Sequence, residues 1–183
     1  MPASVCLTGA KHIFVKKVLW LKKNSVQKLT TVGVMAALVF VMTYVPKVPV
    51  PVTGGYVHLG DGAIFLATLL LGPLGIPAAA IGSGLSDLFG GYIVYLVPTV
   101  IIKGLVAFVA WKLYRENSWI RTLLAFVVAE LVMVLGYFAF ESVLYGMAAA
   151  WAAVGPNMMQ GLAGVVLGMV CKAALPRLKI LLK

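Results

Sequence analysis

SWIRTLLAFVVAELVMVLGYFAFESV, residues 118–143, is the stretch that decides the fold, because it is almost entirely apolar over 26 residues. A helix needs about 20 predominantly apolar residues to cross the hydrocarbon core of a bilayer. The stretch also contains two carboxylates, Glu130 and Glu141. Ionisable groups inside a membrane usually face the interior of a helix bundle and mark a binding or transport site. The stretch therefore predicts a transmembrane helix with one polar face.

The composition extends this prediction to the whole chain. Hydrophobic residues make up 62% of the 183 residues and charged residues only 11%, which is unlike a soluble globular domain. Of the five acidic residues, four lie inside or at the edge of apolar runs, namely Asp61, Asp87, Glu130 and Glu141. We expect an all-α integral membrane protein with polar groups inside it.

Proline and glycine divide the chain into six predicted spans, which would form a compact transmembrane bundle. Three prolines at 46–51 end the first span and begin an extended loop, and Gly72 with Pro73 separates the second span from the third. Asp61, at the start of the second span, is a candidate helix cap or a brace between helices. The predicted spans are about 26–45, 61–72, 76–90, 94–114, 118–143 and 150–175.

The basic residues predict how the bundle is oriented. Six of the 15 lysines and arginines precede or begin the first span, three lie around the connection between the fourth and fifth spans, and four lie at the C-terminal end. Positive charge is concentrated in cytoplasmic segments, so both termini are predicted in the cytoplasm. We divide the chain into a basic interfacial segment at 1–25, a membrane domain at 26–176 and a basic tail at 177–183.

Small residues recur at helical spacing, which allows helix backbones in a membrane to approach closely. Such rows are predicted to pack inside the bundle in the third and sixth spans and either inside it or against a partner in the first. The rows are Ala78, Gly82, Ser86 and Gly90; Gly164 and Gly168; and Gly33, Ala36 and Ala37.

Polar residues also form rows on the last three spans. Residues three, four or eleven positions apart share a helix face. Facing rows of phenols, carboxylates and amides would enclose a cavity for a small, flat, polar molecule. Lys103 is predicted either to be free for a ligand or to be neutralised by Glu130 or Asp87. The rows are Glu130, Tyr137, Glu141 and Tyr145; Tyr95, Thr99 and Lys103; and Asn157 and Gln160.

Motifs for common enzymatic chemistry are missing from the sequence. It contains no G-x-x-x-x-G-K-[ST] phosphate loop, no H-E-x-x-H zinc motif and no G-x-S-x-G nucleophile elbow, so ATP hydrolysis by the usual route and the common hydrolase mechanisms are not predicted. A binding protein that takes its energy from a partner fits these observations.

Four segments resemble a known family. GYVHLGDG at 55–62, LGP at 71–73, GSGLSDL at 82–88 and PTVIIKG at 98–104 are similar to the substrate-binding S components of energy-coupling factor (ECF) vitamin transporters. The likeness is to a subgroup that looks like transporters for hydroxymethylpyrimidine, pyridoxine-type compounds or pantothenate.

The resemblance implies a six-helix bundle in the bacterial cell membrane that binds a vitamin near the outer face. It implies a complex with one transmembrane coupling subunit and two ATPases, and no cofactor on the chain itself. Gly33, Ala36 and Ala37 would dock onto the coupling subunit, and the loop at 52–60 would close over the ligand.

The predicted site contains no catalytic residue and no metal ligand. Tyrosines and Glu141 favour a hydroxymethylpyrimidine or pyridoxine-like ring, whereas a free Lys103 would favour pantothenate.

Two alternatives of other classes are an intramembrane enzyme acting on a lipid through Glu130, Glu141 and His58, and a structural subunit without a ligand. Asp61, Asp87 and Glu130 are assigned structural roles, and the predicted substrate-binding residues are Tyr56, His58, Tyr92, Tyr95, Thr99, Lys103, Tyr137, Glu141, Tyr145, Asn157 and Gln160.

Overall fold

The computed structural model describes residues 25–51 and 55–181, with side chains up to Pro176. The predicted interfacial segment at 1–25 lies outside the described residues except for Ser25, and loop positions 52–54 lie outside them too. The chain divides into two compact units, Met1–Thr31 and Val32–Lys183. In the first unit, the described residues are helical, and the hydroxyls of Thr30 and Thr31 donate to carbonyls one turn earlier.

Helices account for nearly all of the described chain. The helix bounds agree with the predicted spans within about three residues, except at the C-terminal end. There the last helix passes Pro176 and continues through part of the predicted tail at 177–183. Proline is tolerated inside membrane helices because neighbouring groups satisfy the freed backbone. The helices are α1 (Ser25–Tyr44), α2 (Gly60–Leu71), α3 (Gly75–Gly90), α4 (Ile93–Leu113), α5 (Trp119–Tyr145) and α6 (Met147–Leu181).

A short β-hairpin lies between α1 and α2, where the sequence predicted only an extended loop. Strands β1 (Val48–Val50) and β2 (Gly55–Val57) pair antiparallel, with Pro49 opposite Tyr56. Proline is acceptable in β1 because each strand of a two-stranded sheet has a free edge. The hairpin leads directly into α2 and covers one end of the helices.

Helices α2 and α3 form an antiparallel pair joined by a 3₁₀ turn, Gly72–Leu74. The start of α2 and the end of α3 both lie beside the hairpin, since the Gly60 N–H donates to His58 and the Tyr56 hydroxyl donates to Asp87. Gly72 has a φ of 60°, which favours glycine at the reversal.

Helix length and composition give five candidate membrane spans among the described residues. With 12 and 16 residues, α2 and α3 are about 18 and 24 Å long, each shorter than the roughly 30 Å hydrocarbon core. Within the described residues, five helical stretches are long and apolar enough to span a membrane, and Gly60–Gly90 is one of them. The chain is therefore a helical membrane protein, and the count of six spans stays a prediction.

The core of the second unit is packed tightly around aromatic rings and small residues. Phe65 of α2 and Phe126 of α5 stack with ring centroids 4.1 Å apart, and Gly168 of α6 leaves room for both rings. Gly82 of α3 lies against α1, where a β-carbon would come within 2.4 Å of the Ala36 carbonyl oxygen. The small-residue rows at Gly82 and Gly168 therefore permit close helix contact.

Replacing Gly82 by alanine is expected to destabilise the protein, because the new methyl group would meet the backbone of α1. Overpacking of this kind typically costs about 1–3 kcal/mol. The matched control is Gly33→Ala, since a β-carbon at Gly33 meets nothing within 4 Å and alanine favours a helix over glycine by about 1 kcal/mol. Thermal unfolding in detergent measures both variants, and equal midpoints for the two would contradict the packing at Gly82.

Candidate functional site

A cavity lies beneath the β-hairpin, between α3, α4, α5 and α6. The space between its side chains, including the part open to solvent, is about 450 Å³. Eight of the eleven predicted substrate-binding residues line it: Tyr56, His58, Tyr95, Thr99, Tyr137, Glu141, Asn157 and Gln160.

Three predicted substrate-binding residues do not line the cavity. Tyr92 packs against Tyr56, with ring centroids 4.5 Å apart. Tyr145 is 43% exposed and lies at the end of α5. Lys103 is fully buried and held by another side chain. Two of the three rows predicted from helical spacing therefore continue beyond the cavity, at Lys103 and at Tyr145, whereas both members of the row on α6 line it.

Asp87 lines the cavity, whereas its place in the sequence predicted a structural role. Its Oδ1 accepts a 2.6 Å hydrogen bond from the Tyr56 hydroxyl, so it also attaches the hairpin to α3. The sequence indicated this position, because Asp87 lies near the end of the third predicted span, which the tight turn at Gly72–Leu74 returns toward the loop. A carboxylate at a helix end beside a loop is well placed to contact both the loop and a ligand.

Lys103 forms an ion pair with Asp61 and not with Glu130 or Asp87, so the two partners predicted for it were wrong. The Lys103 ammonium donates to Asp61 Oδ1 and Oδ2 at 2.6 and 2.9 Å, and both side chains are fully buried. Asp61 also accepts a 2.7 Å hydrogen bond from the Gln160 amide. The cap predicted for Asp61 was wrong, because no side chain caps the start of α2. The ion pair with Lys103 instead gives Asp61 its other predicted role, that of a brace between helices.

Glu130 faces α6 at a depth close to Asp61. Its side chain is 5% exposed, and a β-carbon at Gly164 would come within 2.5 Å of Glu130 Oε1 and 2.9 Å of Asp61 Cβ. Neither carboxyl oxygen of Glu130 has a hydrogen-bond partner among the described residues. The glycines of α6 provide the space in which this carboxyl group fits.

Two pairs of polar groups lie on the walls of the cavity. The Tyr95 hydroxyl donates to Glu141 Oε1 at 3.2 Å, and the hydroxyls of Thr99 and Tyr137 lie 3.0 Å apart. Asn157, on the adjacent face of α6, is 9% exposed. These groups offer a ligand aromatic faces, a carboxylate and an amide.

His58 lies in the loop over the cavity, which consists of residues 58–59 between β2 and α2. Two contacts position His58. Its backbone N–H donates to Gln160 Oε1 at 3.0 Å, and its Nδ1 accepts from the Gly60 N–H at 3.0 Å. The neutral ring therefore carries its proton on Nε2. Burial, together with the charge of Lys103, lowers the pKa of His58 to about 3.

Lys47 joins α1 to the hairpin through three tyrosine rings. Its ammonium lies 4.2, 4.6 and 5.3 Å from the ring centroids of Tyr44, Tyr56 and Tyr92. Burial lowers the pKa of Lys47, an effect that the charge of Asp87 opposes. These cation–π contacts hold the hairpin beside the ends of α1 and α3.

The predicted docking residues on α1 do not share one environment. Gly33 and Ala37 are exposed, whereas Ala36 is 5% exposed. Ala36 belongs to the contact with Gly82 described above, so its side chain is not on the exposed face of α1. This part of the prediction was wrong because small residues one position apart point in different directions on a helix.

A buried polar cavity between membrane helices, under a hairpin, is the kind of site in which membrane proteins bind small molecules. The family described as ECF-type riboflavin transporter, S component, matches residues 23–177. The chain belongs to the family of ECF transporter S components, which are the substrate-binding subunits of vitamin uptake systems and not enzymes.

Two relatives and one solved structure are similar to most of the chain. The thiamine precursor transporter HmpT of Lactococcus lactis subsp. cremoris (strain MG1363) is 32% identical over 162 residues, 86% of this chain and 93% of HmpT. An uncharacterized protein of Pyrococcus woesei is 36% identical over 132 residues, 71% of this chain and 88% of the relative. A structure reported as "Structure and mechanism of the S component of a bacterial ECF transporter" covers 87% of this chain and 99% of its own, with a TM-score of 0.67 and 24% identity, and it supports the fold.

Replacing Lys103 by methionine is expected to destabilise the protein, because Asp61 would be left as an uncompensated buried charge. Breaking a buried pair from one side typically costs about 3–5 kcal/mol, whereas removing both charges is often nearly neutral. Thermal unfolding should therefore show a large loss for Lys103→Met and a partial recovery for the Asp61→Asn/Lys103→Met double variant. Wild-type stability of Lys103→Met would contradict the ion pair.

Lowering the pH from 7 to 5 is expected to destabilise the protein through His58. Its pKa is about 3 in the folded state and about 6.5 in an unfolded chain. Below pH 6.5 only the unfolded state takes up the proton, so stability falls as the pH falls, by at most about 2 kcal/mol at pH 5. The variant His58→Asn cannot take up that proton, so its unfolding midpoint should fall less between the two pH values. The same fall in both proteins would show that His58 is not buried and neutral.

Proposed function

We propose that this chain captures a hydroxymethylpyrimidine-like vitamin precursor at the outer face of the membrane and delivers it inward with an ECF coupling subunit and two ATPases. The observation that carries the proposal is the charge balance of the cavity. Asp87 and Glu141 line it, while the nearby Lys103 is neutralised by Asp61 and lies outside the lining.

The charge balance favours a ligand with hydrogen-bond donors. An aminopyrimidine offers an amine and ring nitrogens to the carboxylate of Glu141 and the amide of Asn157, and a flat ring to Tyr95 and Tyr137. A carboxylate such as that of pantothenate would meet two like charges and no free lysine among the lining residues. A pyridoxine-like ring satisfies the same groups and remains the second candidate.

The similarity to HmpT supports the same substrate class, because HmpT is named a thiamine precursor transporter. The family description names riboflavin, so riboflavin belongs among the compounds to be tested. The alternative of a structural subunit without a ligand predicts that none of these compounds binds.

For delivery we propose that both termini lie in the cytoplasm and that the hairpin end of the bundle faces outward. The distribution of lysine and arginine supports this orientation. The exposed face of α1 around Gly33 and Ala37 is the proposed surface for the coupling subunit. ATP-driven movement of that partner must then lower the affinity for the ligand, because binding alone cannot drive net uptake.

The purified chain should be stabilised by hydroxymethylpyrimidine more than by pyridoxine, riboflavin or pantothenate. A ligand at 100 times its Kd adds about 2.7 kcal/mol to the folded state. Glu141→Gln removes the carboxylate and should weaken binding roughly 10- to 100-fold, since hydrogen bonds to charged groups contribute about 1.5–3 kcal/mol. Thermal shift and calorimetric titration in detergent measure both effects.

Ser142→Ala is the control for this experiment, because Ser142 does not line the cavity and its hydroxyl donates to the Ala139 carbonyl of its own helix. Its affinity should match that of the wild type. Stabilisation by pantothenate alone would keep the transport role and overturn the substrate. No stabilisation by any compound would favour the subunit without a ligand.

A further inference from the structure

The side-chain amide of Gln160 is engaged by the protein at both ends. Its Nε2 donates to Asp61 Oδ2 at 2.7 Å, and its Oε1 accepts from the His58 backbone N–H at 3.0 Å. The side chain is 4% exposed. Gln160 therefore bridges the buried ion pair of the membrane interior and the loop over the cavity.

The ion pair determines which way the amide of Gln160 points. Asp61 is a carboxylate held by Lys103 through both of its oxygens, and an ionised carboxylate only accepts hydrogen bonds. The NH₂ group of Gln160 must therefore face Asp61, because the opposite orientation would place two acceptors together. The carbonyl oxygen then necessarily points to the loop, where it receives the His58 N–H.

The loop is held on both sides of this contact. On the C-terminal side, His58 Nδ1 accepts a hydrogen bond from the Gly60 N–H. Asp61, which follows Gly60, accepts a hydrogen bond from the Gln160 amide. The Tyr56 hydroxyl is bound to Asp87 on the other side of the cavity. Releasing Gln160 would free the loop between these contacts.

We propose that Gln160 is a positioning residue that anchors the loop over the cavity. The Lys103–Asp61 pair fixes the orientation of the Gln160 amide and thereby controls how often the loop opens around a bound ligand. The inference rests on the proposed function for its effect on the ligand. The anchoring of the loop itself does not need a ligand. Loss of the anchor should speed dissociation more than it slows association, because an open loop still admits the ligand.

The experiment compares Gln160→Met with the wild type in the purified full chain. Hydrogen exchange measured by mass spectrometry over residues 55–60, without ligand, reports loop opening, and stopped-flow displacement reports the dissociation rate of hydroxymethylpyrimidine. We expect exchange and dissociation both to be roughly tenfold faster or more, as for loss of hydrogen bonds that include a charged partner. Gln27→Met is the matched control, since Gln27 is the other glutamine and is exposed, and it should leave both rates unchanged.

A second pair of variants separates positioning from a loss of folding. Gln160→Glu places two carboxylates together and should open the loop. The double variant Asp61→Asn/Gln160→Glu restores a donor facing an acceptor and keeps the net charge, so it should return both rates toward those of the wild type. Rescue of this kind is not expected from a residue that only fills space.

Three results are decisive. Unchanged exchange over 55–60 in Gln160→Met would overturn the anchor. Faster dissociation with unchanged exchange would also overturn it and would make Gln160 a direct ligand contact. If the wild type binds no compound, the proposed function fails, and the exchange measurement alone supports or overturns the anchor.

Discussion

Lys103 lies near the middle of α4, where an unpaired ammonium group inside the membrane would be strongly unfavourable. Asp61 neutralises it from the first turn of α2, immediately after the loop that follows the hairpin. Because both side chains are fully buried, the start of α2 must lie beside the middle of α4. The hairpin and its loop are then held over the space between α4, α5 and α6.

The same ion pair decides the charge of the cavity. With Lys103 neutralised, the acidic groups among the described lining residues are the carboxyl groups of Asp87 and Glu141, and His58 is neutral because burial and the charge of Lys103 lower its pKa to about 3. Aromatic rings beside carboxylates suit a flat molecule rich in hydrogen-bond donors. A buried ion pair contributes little net stability, so its main consequence in this protein is the position of α2 and the charge of the site.

Glycine makes close contact between helices possible at three positions. Gly82 lets α3 approach the backbone of α1, and Gly168 leaves space for the stacked rings of Phe65 and Phe126. At Gly164 a β-carbon would overlap the carboxyl group of Glu130. In a membrane, apolar burial does not distinguish one helix neighbour from another, so steric fit at such positions selects the partners.

The sequence by itself determined the helices and their polar faces, because both depend on local composition and on the 3.6-residue period. It placed the helix bounds within about three residues up to the last helix and predicted eight of the residues that line the cavity. It did not predict the hairpin, whose strands of three residues are too short to show a pattern. Only the tertiary structure decided that Lys103 pairs with Asp61 and that Ala36 is buried. The two members of the ion pair are 42 residues apart, and the choice among several carboxylates depends on the depth and rotation of whole helices, which no local pattern specifies.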